Sequence, residues 1–85
     1  MTESIDGTYE EVDDWRILRF EDANTQVVLK QPRSAYAMIT VAPGLDEPAL
    51  EQYYGLEYAL DHAAAYLNVP IESLSVPEEA TAMEL

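Results

Sequence analysis

The chain changes its hydrophobic period once, at Pro43-Gly44, and that break limits what it can fold into. Before it, apolar residues come in short runs parted by turn residues, the spacing of an antiparallel meander. After it, they recur at helical intervals. Trp15-Arg16-Ile17-Leu18-Arg19-Phe20 reads as a strand, preceded by a weaker one at Thr8–Val12 with Asp13-Asp14 as the turn. Asp22-Ala23-Asn24 makes the next turn, because Asp and Asn bond their own backbone and tolerate a left-handed conformation. Thr25–Gln31 follows as a strand that Pro32 ends for want of an N–H, and Ala35–Ala42 is the fourth. Strands are therefore predicted at about 8–12, 15–21, 25–31 and 35–42.

Beyond the break one long helix is predicted over about 47–67. Asp46 suits the N-cap, and Glu47 and Pro48 suit a first turn that favours anions and needs no N–H. Steps of 100° place Ala49, Tyr53, Leu56, Leu60, Ala63, Ala64 and Leu67 in one stripe. Asn68 fits the position after the last turn, and Val69-Pro70 stops the helix. Pro70–Leu74 can form one helical turn, and Ser75-Val76-Pro77-Glu78 resembles a capping box for a short final helix reaching about Met83. The expectation is a single α+β domain over 1–85: a meander of three to four strands packed on one helix, with 1–7 a frayed arm and 78–85 a frayed tail.

Strand alternation gives that sheet two faces. One carries Trp15, Ile17, Val27, Leu29, Ala37, Ile39 and Val41, with Arg19 at the sheet end, and should meet the helix. The other carries Leu18, Phe20, Val28, Tyr36 and Met38 among Arg16, Gln26, Lys30 and Thr40, and is too apolar to leave to water. Either Ile71, Leu74, Val76 and Met83 of the C-terminal segment fold across it, or a second protomer does; a homodimer through Leu18, Phe20, Val28, Tyr36 and Met38 is the expectation. A register slip of one residue would exchange the faces. The outer side of the helix is also unusual. Tyr58, His62 and Tyr66 lie there with Glu51 and Gly55, and Tyr54 is nearby. Tyrosine offers apolar area with a polar tip, so Tyr54, Tyr58, His62 and Tyr66 are a candidate binding surface; tyrosines lying over neighbouring loops are the plainer alternative.

Seventeen acids oppose four bases, a formal net charge of −13 on 85 residues, with a hydrophobic fraction of 48%. That fraction is too high for a disordered acidic tail. The bases are Arg16, Arg19, Lys30 and Arg33, and from Ser34 onward there is none. Acid excess with scarce Lys and an intact apolar fraction fits cytoplasmic proteins of organisms that balance osmotic pressure with internal salt. At molar salt the Debye length is about 3 Å, so carboxylate repulsion is screened. An ordinary acidic protein and a DNA mimic are the alternatives. No signal peptide is visible at Met1-Thr2-Glu3, and the longest near-continuous apolar stretch, Ala35–Ala42, is far short of the ~20 residues that span a bilayer. A soluble cytoplasmic protein is expected.

Little in the chain points to catalysis. Absence of Cys removes disulfides, thiolate zinc and thiol chemistry. His62 is the sole imidazole, with Tyr58 and Tyr66 one turn away on either side and Asp61 pointing elsewhere. Ser34, Ser73 and Ser75 occupy turn or cap contexts. Glu57 and Asp61 alone fall short of the oxygen count calcium demands, and Gly7, Gly44 and Gly55 are isolated, so neither a metal, a cofactor nor a phosphate loop is expected. Four bases near Trp15, Phe20 and Tyr36 could suggest an RNA platform, but pairing with carboxylates such as Glu21 and Asp22 is the expected state.

With its meander, then Glu51-Gln52-Tyr53-Tyr54-Gly55-Leu56 running into Ala59-Leu60-Asp61-His62-Ala63-Ala64, then Val69-Pro70, the chain resembles short acidic proteins of halophilic archaea that form a family of unknown function. The resemblance spans roughly Tyr9 to Pro77 and implies a high-salt cytoplasm, with no activity to assign to any residue. The functional expectation is a non-enzymatic, self-associating interaction domain. A small-ligand or regulatory-partner module using the aromatic helix face is the first alternative, and an enzyme with His62 as its only general base is the second.

Overall fold

The computed structural model describes residues 4–22, 25–33, 38–44 and 47–83. Ala23 and Asn24 of the second turn, strand positions 35–37, the Asp46 cap and the ends at 1–3 and 84–85 lie outside the described residues. The architecture is α+β. Strands β1 (Ile5–Val12), β2 (Trp15–Glu21), β3 (Gln26–Pro32) and β4 (Ile39–Ala42) form an antiparallel meander, to which β5 (Glu51–Tyr53) adds at the β4 edge. Helix α1 (Leu56–Leu67) leads to a 3-10 turn at Ile71–Ser73, a two-residue strand β6 (Leu74–Ser75), and a second 3-10 segment at Glu78–Met83. β6 pairs in parallel with Ile5 and Asp6, so the sheet has six strands in the order β5-β4-β3-β2-β1-β6.

Local chemistry explains the turns. Asp22 Oδ1 accepts from the Thr25 N–H at 2.8 Å, and the Asp22 N–H donates to the Thr25 carbonyl at 2.8 Å, closing the β2–β3 hairpin. Asp13 takes φ 55° in the β1–β2 turn, where a short polar side chain lowers the cost of the left-handed region. At the end of α1, Asn68 has φ 60°; its N–H donates to Ala65 and the Val69 N–H to Ala64, the paired bonds of a Schellman ending.

Several expectations need correction. The arm is not free: Ile5 is buried, and residues 5–7 belong to β1, held by β2 on one side and, at Ile5 and Asp6, by β6 on the other. Pro32 ends its strand as expected, but as the last residue of β3, opposite Trp15, and its carbonyl accepts from Arg16 Nη1 at 3.3 Å. The helix begins at Leu56, not near 47. Residues 51–53 have helical phase in sequence but pair with Ile39–Val41, because the β4 edge offers unmet backbone groups. The Leu50 N–H donates to the Val41 carbonyl at 2.8 Å and fixes that return. Pro48 and Ala49 are therefore exposed loop residues, and Gly55 is the N-cap rather than a mid-helix residue.

The tail is also part of the core. Ala80 and Met83 are fully buried, packed with Ile5, Leu18, Phe20, Val27, Leu29, Ile39 and Val41 of the sheet and Leu56, Ala59, Ala63, Ala64 and Leu67 of α1. Alanines at three of the five buried helix positions let α1 lie close to the strands. Each large side chain shut away here, such as Phe20 or Leu29, stabilises the fold by about 1.5–3 kcal/mol.

The face assignment changes for β2. Leu18 lies opposite Leu29, and Phe20 opposite Val27, so Leu18 and Phe20 point at α1 while Trp15, Ile17 and Arg19 point away with Val28. Arg16, placed by sequence on the outer face, lies on the covered one, where Nη1 donates to Gln31 Oε1 at 3.3 Å. β2 is apolar on both parities, so alternation within it cannot decide; pairing with β3 does.

Candidate functional site

Two surfaces remain available once the core is assigned. They lie on opposite sides of the domain.

On the outer side of α1, Tyr58, His62 and Tyr66 follow one another at single-turn spacing, and Tyr54 precedes the N-cap. Tyr54 is 71% exposed, Tyr58 65% and Tyr66 39%. Tyr58 is nonetheless placed: its ring edge lies 3.4 Å from where a Cβ on Gly55 would stand. Glu57 and Asp61 are exposed beside it, and Ala65 is an exposed small residue one turn beyond Asp61. His62 differs from the tyrosines. It is half-buried, and its Nδ1 lies 3.0 Å from the Tyr53 hydroxyl, with the two rings edge to face at 5.7 Å and 86°. In the tautomer protonated on Nε2, the Tyr53 O–H donates to Nδ1. The imidazole is thus tied to the β5 edge strand, and Tyr53 is a member of this site that helical phase had assigned to the core stripe.

Across the sheet, the face turned away from α1 carries Thr8, Arg19, Val28 and Ala42 in one row and Glu10, Ile17, Lys30, Thr40 and Gln52 in the next, with Val12, Trp15 and Pro32 beyond. Trp15 is 40% exposed and Val12 42%, whereas Ile17, Val28 and Ala42 are buried. Lys30 Nζ sits 5.1 Å from the Trp15 ring centroid, a cation–π contact. Arg19 Nη2 is 4.0 Å from Glu10 Oε1, while Arg19 Nε is buried with no hydrogen-bond partner among the described residues. Gly44 marks one margin, beside Gln26 and Glu47.

The five residues expected to form a self-association surface do not share one face. Leu18 and Phe20 are core, Val28 belongs to the outward face, Met38 precedes β4 half-buried, and Tyr36 lies outside the described residues. The bases do not form a platform either. Arg16 bonds Gln31, Arg19 faces Glu10, Lys30 covers Trp15, and Arg33 lies 3.4 Å from Glu11 with Nη1 donating to the Asp13 carbonyl. Among the described residues, Arg19 pairs with Glu10 and Arg33 with Glu11. Sequence distance hid this, because Glu11 and Arg33 meet only when β1, β2 and β3 align.

Near that cluster, the Tyr9 hydroxyl donates to Glu11 Oε2 at 2.8 Å. Its pKa is pushed up to about 12, first by burial and then by the hydrogen bond and negative charge of Glu11, against a smaller opposing pull from Arg16 and Arg33. Among the described residues no three His, Asp or Glu side chains gather to hold a metal ion, and no helix is long and apolar enough to cross a membrane.

No curated protein and no solved structure matches the chain. A family model does, over residues 1–85, and by that match the chain belongs to DUF7111, a family of unknown function.

Proposed function

We propose that the chain is a non-enzymatic interaction domain of a salt-adapted cytoplasm, and that it self-associates through the sheet face turned away from α1. One observation carries this reading: α1 and the C-terminal 3-10 segment pack on the same side of the sheet, and the other side keeps Trp15 and Val12 exposed beside buried Ile17 and Val28. Ile17, Val28 and Ala42 are already shut away within one copy, so the contact is small and the pairing reversible.

Charge favours the same face. It carries Arg19 and Lys30 against Asp6, Glu10 and Glu21, close to balance, while the remainder of the chain holds nearly all of the −13. Two copies meeting there bring their least repulsive surfaces together. Membranes, nucleic acid, metals and cofactors have no part in this reading.

The test is the mass in molar KCl by light scattering, read with the emission of Trp15, the only tryptophan. A dimer mass that rises with concentration, with Trp15 emission moving to shorter wavelength alongside it, is expected. Trp15→Glu should return the protomer mass with unchanged far-ultraviolet circular dichroism. One-protomer mass at all concentrations would overturn the proposal.

A further inference from the structure

We propose that the outer face of α1 is a docking surface for an arginine-bearing segment of a protein partner, with Tyr58 as the stacking ring and Glu57 and Asp61 as the carboxylates that take the guanidinium. This surface lies on the far side of the domain from the open sheet face, so the inference does not depend on self-association.

Four observations converge. First, the tyrosines are exposed where a helix ordinarily presents charge, and Tyr54 adds a third ring before the N-cap. Second, Tyr58 is the more exposed of the two helix tyrosines, its ring beside Gly55, which carries no side chain to cover it. Third, Asp61 is one turn from both Glu57 and Tyr58, which brings two carboxylates and a ring within reach of one planar cation. Fourth, no Lys or Arg occurs from Ser34 to Leu85, so no base of its own helix competes for these carboxylates.

The chemistry selects arginine over lysine. A guanidinium stacks flat on a phenol ring while its edge donates two parallel hydrogen bonds to a carboxylate. Lysine, a hydrated point charge, makes one of these contacts at a time. High salt sharpens the choice. With a Debye length of about 3 Å at molar salt, long-range attraction between the acidic domain and any basic partner disappears, and groups in direct contact remain. Stacking and forked hydrogen bonds act at contact. Half-buried His62 is tied to Tyr53 and is not a contact for the cation.

The experiment uses the full chain in molar KCl with two fluorescent probes of equal charge, a hexa-arginine and a hexa-lysine peptide, read by anisotropy. Hexa-arginine should bind more tightly than hexa-lysine. Tyr58→Ala should weaken hexa-arginine about two- to fivefold, as for one exposed cation–π contact, while Tyr58→Phe keeps the ring and the affinity. Glu57→Gln with Asp61→Asn should weaken it by roughly threefold or more, and Asp6→Asn with Glu21→Gln, the same charge change on the opposite face, should not. Equal binding of the two peptides overturns the proposal, as does equal loss from the two double variants. An unchanged affinity in Tyr58→Ala overturns it too. Circular dichroism of each variant confirms that the fold is intact, and its mass, measured alongside, reports separately on self-association.

Discussion

The Gln31 side-chain amide donates from Nε2 to the Met83 carbonyl at 3.3 Å, joining residues 52 apart in sequence. Its Oε1 accepts from Arg16 at 3.3 Å, so a nearly buried glutamine on β3 bridges β2 and the last 3-10 segment. The segment 78–83 is thereby anchored through this contact and the burial of Ala80 and Met83.

Gln31→Leu should destabilise the domain by about 1–3 kcal/mol, since the substitution leaves a buried carbonyl without this donor. Met83→Ala should cost more, about 2–5 kcal/mol, by opening a cavity under the sheet. Urea unfolding followed by circular dichroism measures both. Wild-type midpoints in both variants would mean that residues 78–83 contribute nothing to the core.

The Tyr53–His62 contact joins the edge strand β5 to α1. Tyr53→Phe and His62→Ala should each lower stability by about 0.5–1.5 kcal/mol. Combined, they should cost less than the sum of the two, because either one breaks the same bond. Amide exchange should speed up at Gln52 and Tyr53 in the single variants and leave β2 and β3 unaltered.

Tyr9 governs the alkaline limit. Its pKa in the folded chain, about 12, is above the ordinary phenol value of 10. A raised pKa means that the folded state holds the proton more tightly than the unfolded chain does. The associated stability is complete below pH 10 and is lost as pH rises from about 10 to about 12. The ultraviolet difference between wild type and Tyr9→Phe should show a phenolate appearing near pH 12, and Tyr9→Phe should soften the alkaline loss of stability. A Tyr9 signal titrating at 10 would contradict this.

Salt should matter as much as any single residue. With −13 on 85 residues against four bases, two of them in the pairs Arg19–Glu10 and Arg33–Glu11, repulsion opposes compaction when screening is weak. Loosening is expected below about 0.5 M salt, as the Debye length lengthens toward its ~10 Å value at 0.1 M. A circular dichroism titration in KCl follows it. Full native signal in salt-free dilute buffer would remove the case for salt adaptation.

The period break at Pro43-Gly44 marks the end of the four-strand meander but not of the sheet, since β5 and β6 follow it; the strand at Trp15–Glu21 and the Asn68 ending were legible because they rest on local chemistry: apolar runs, turn residues and a left-handed cap. So were the exposed Tyr58 and Tyr66, whose positions follow from helical spacing once α1 exists, whereas Tyr54 is exposed before the N-cap, outside α1. The start of α1 was not legible. Residues 49–53 satisfy a helical stripe and an edge strand equally well, and only the presence of β4 beside them selects the strand.

What the sequence alone determined is an acidic α+β chain whose helix wears an aromatic outer face. Tertiary structure decided everything that depends on pairing: which parity of β2 is core, that Ile5 and Met83 belong to the interior, that His62 is held by Tyr53, and which sheet face turns away from α1. The physical reason is common to all four. Each is a contact between segments far apart in the chain, and two-sided apolar strands and short tails carry no local signal for it; the energy that selects it appears only when the partner strand or helix is in place.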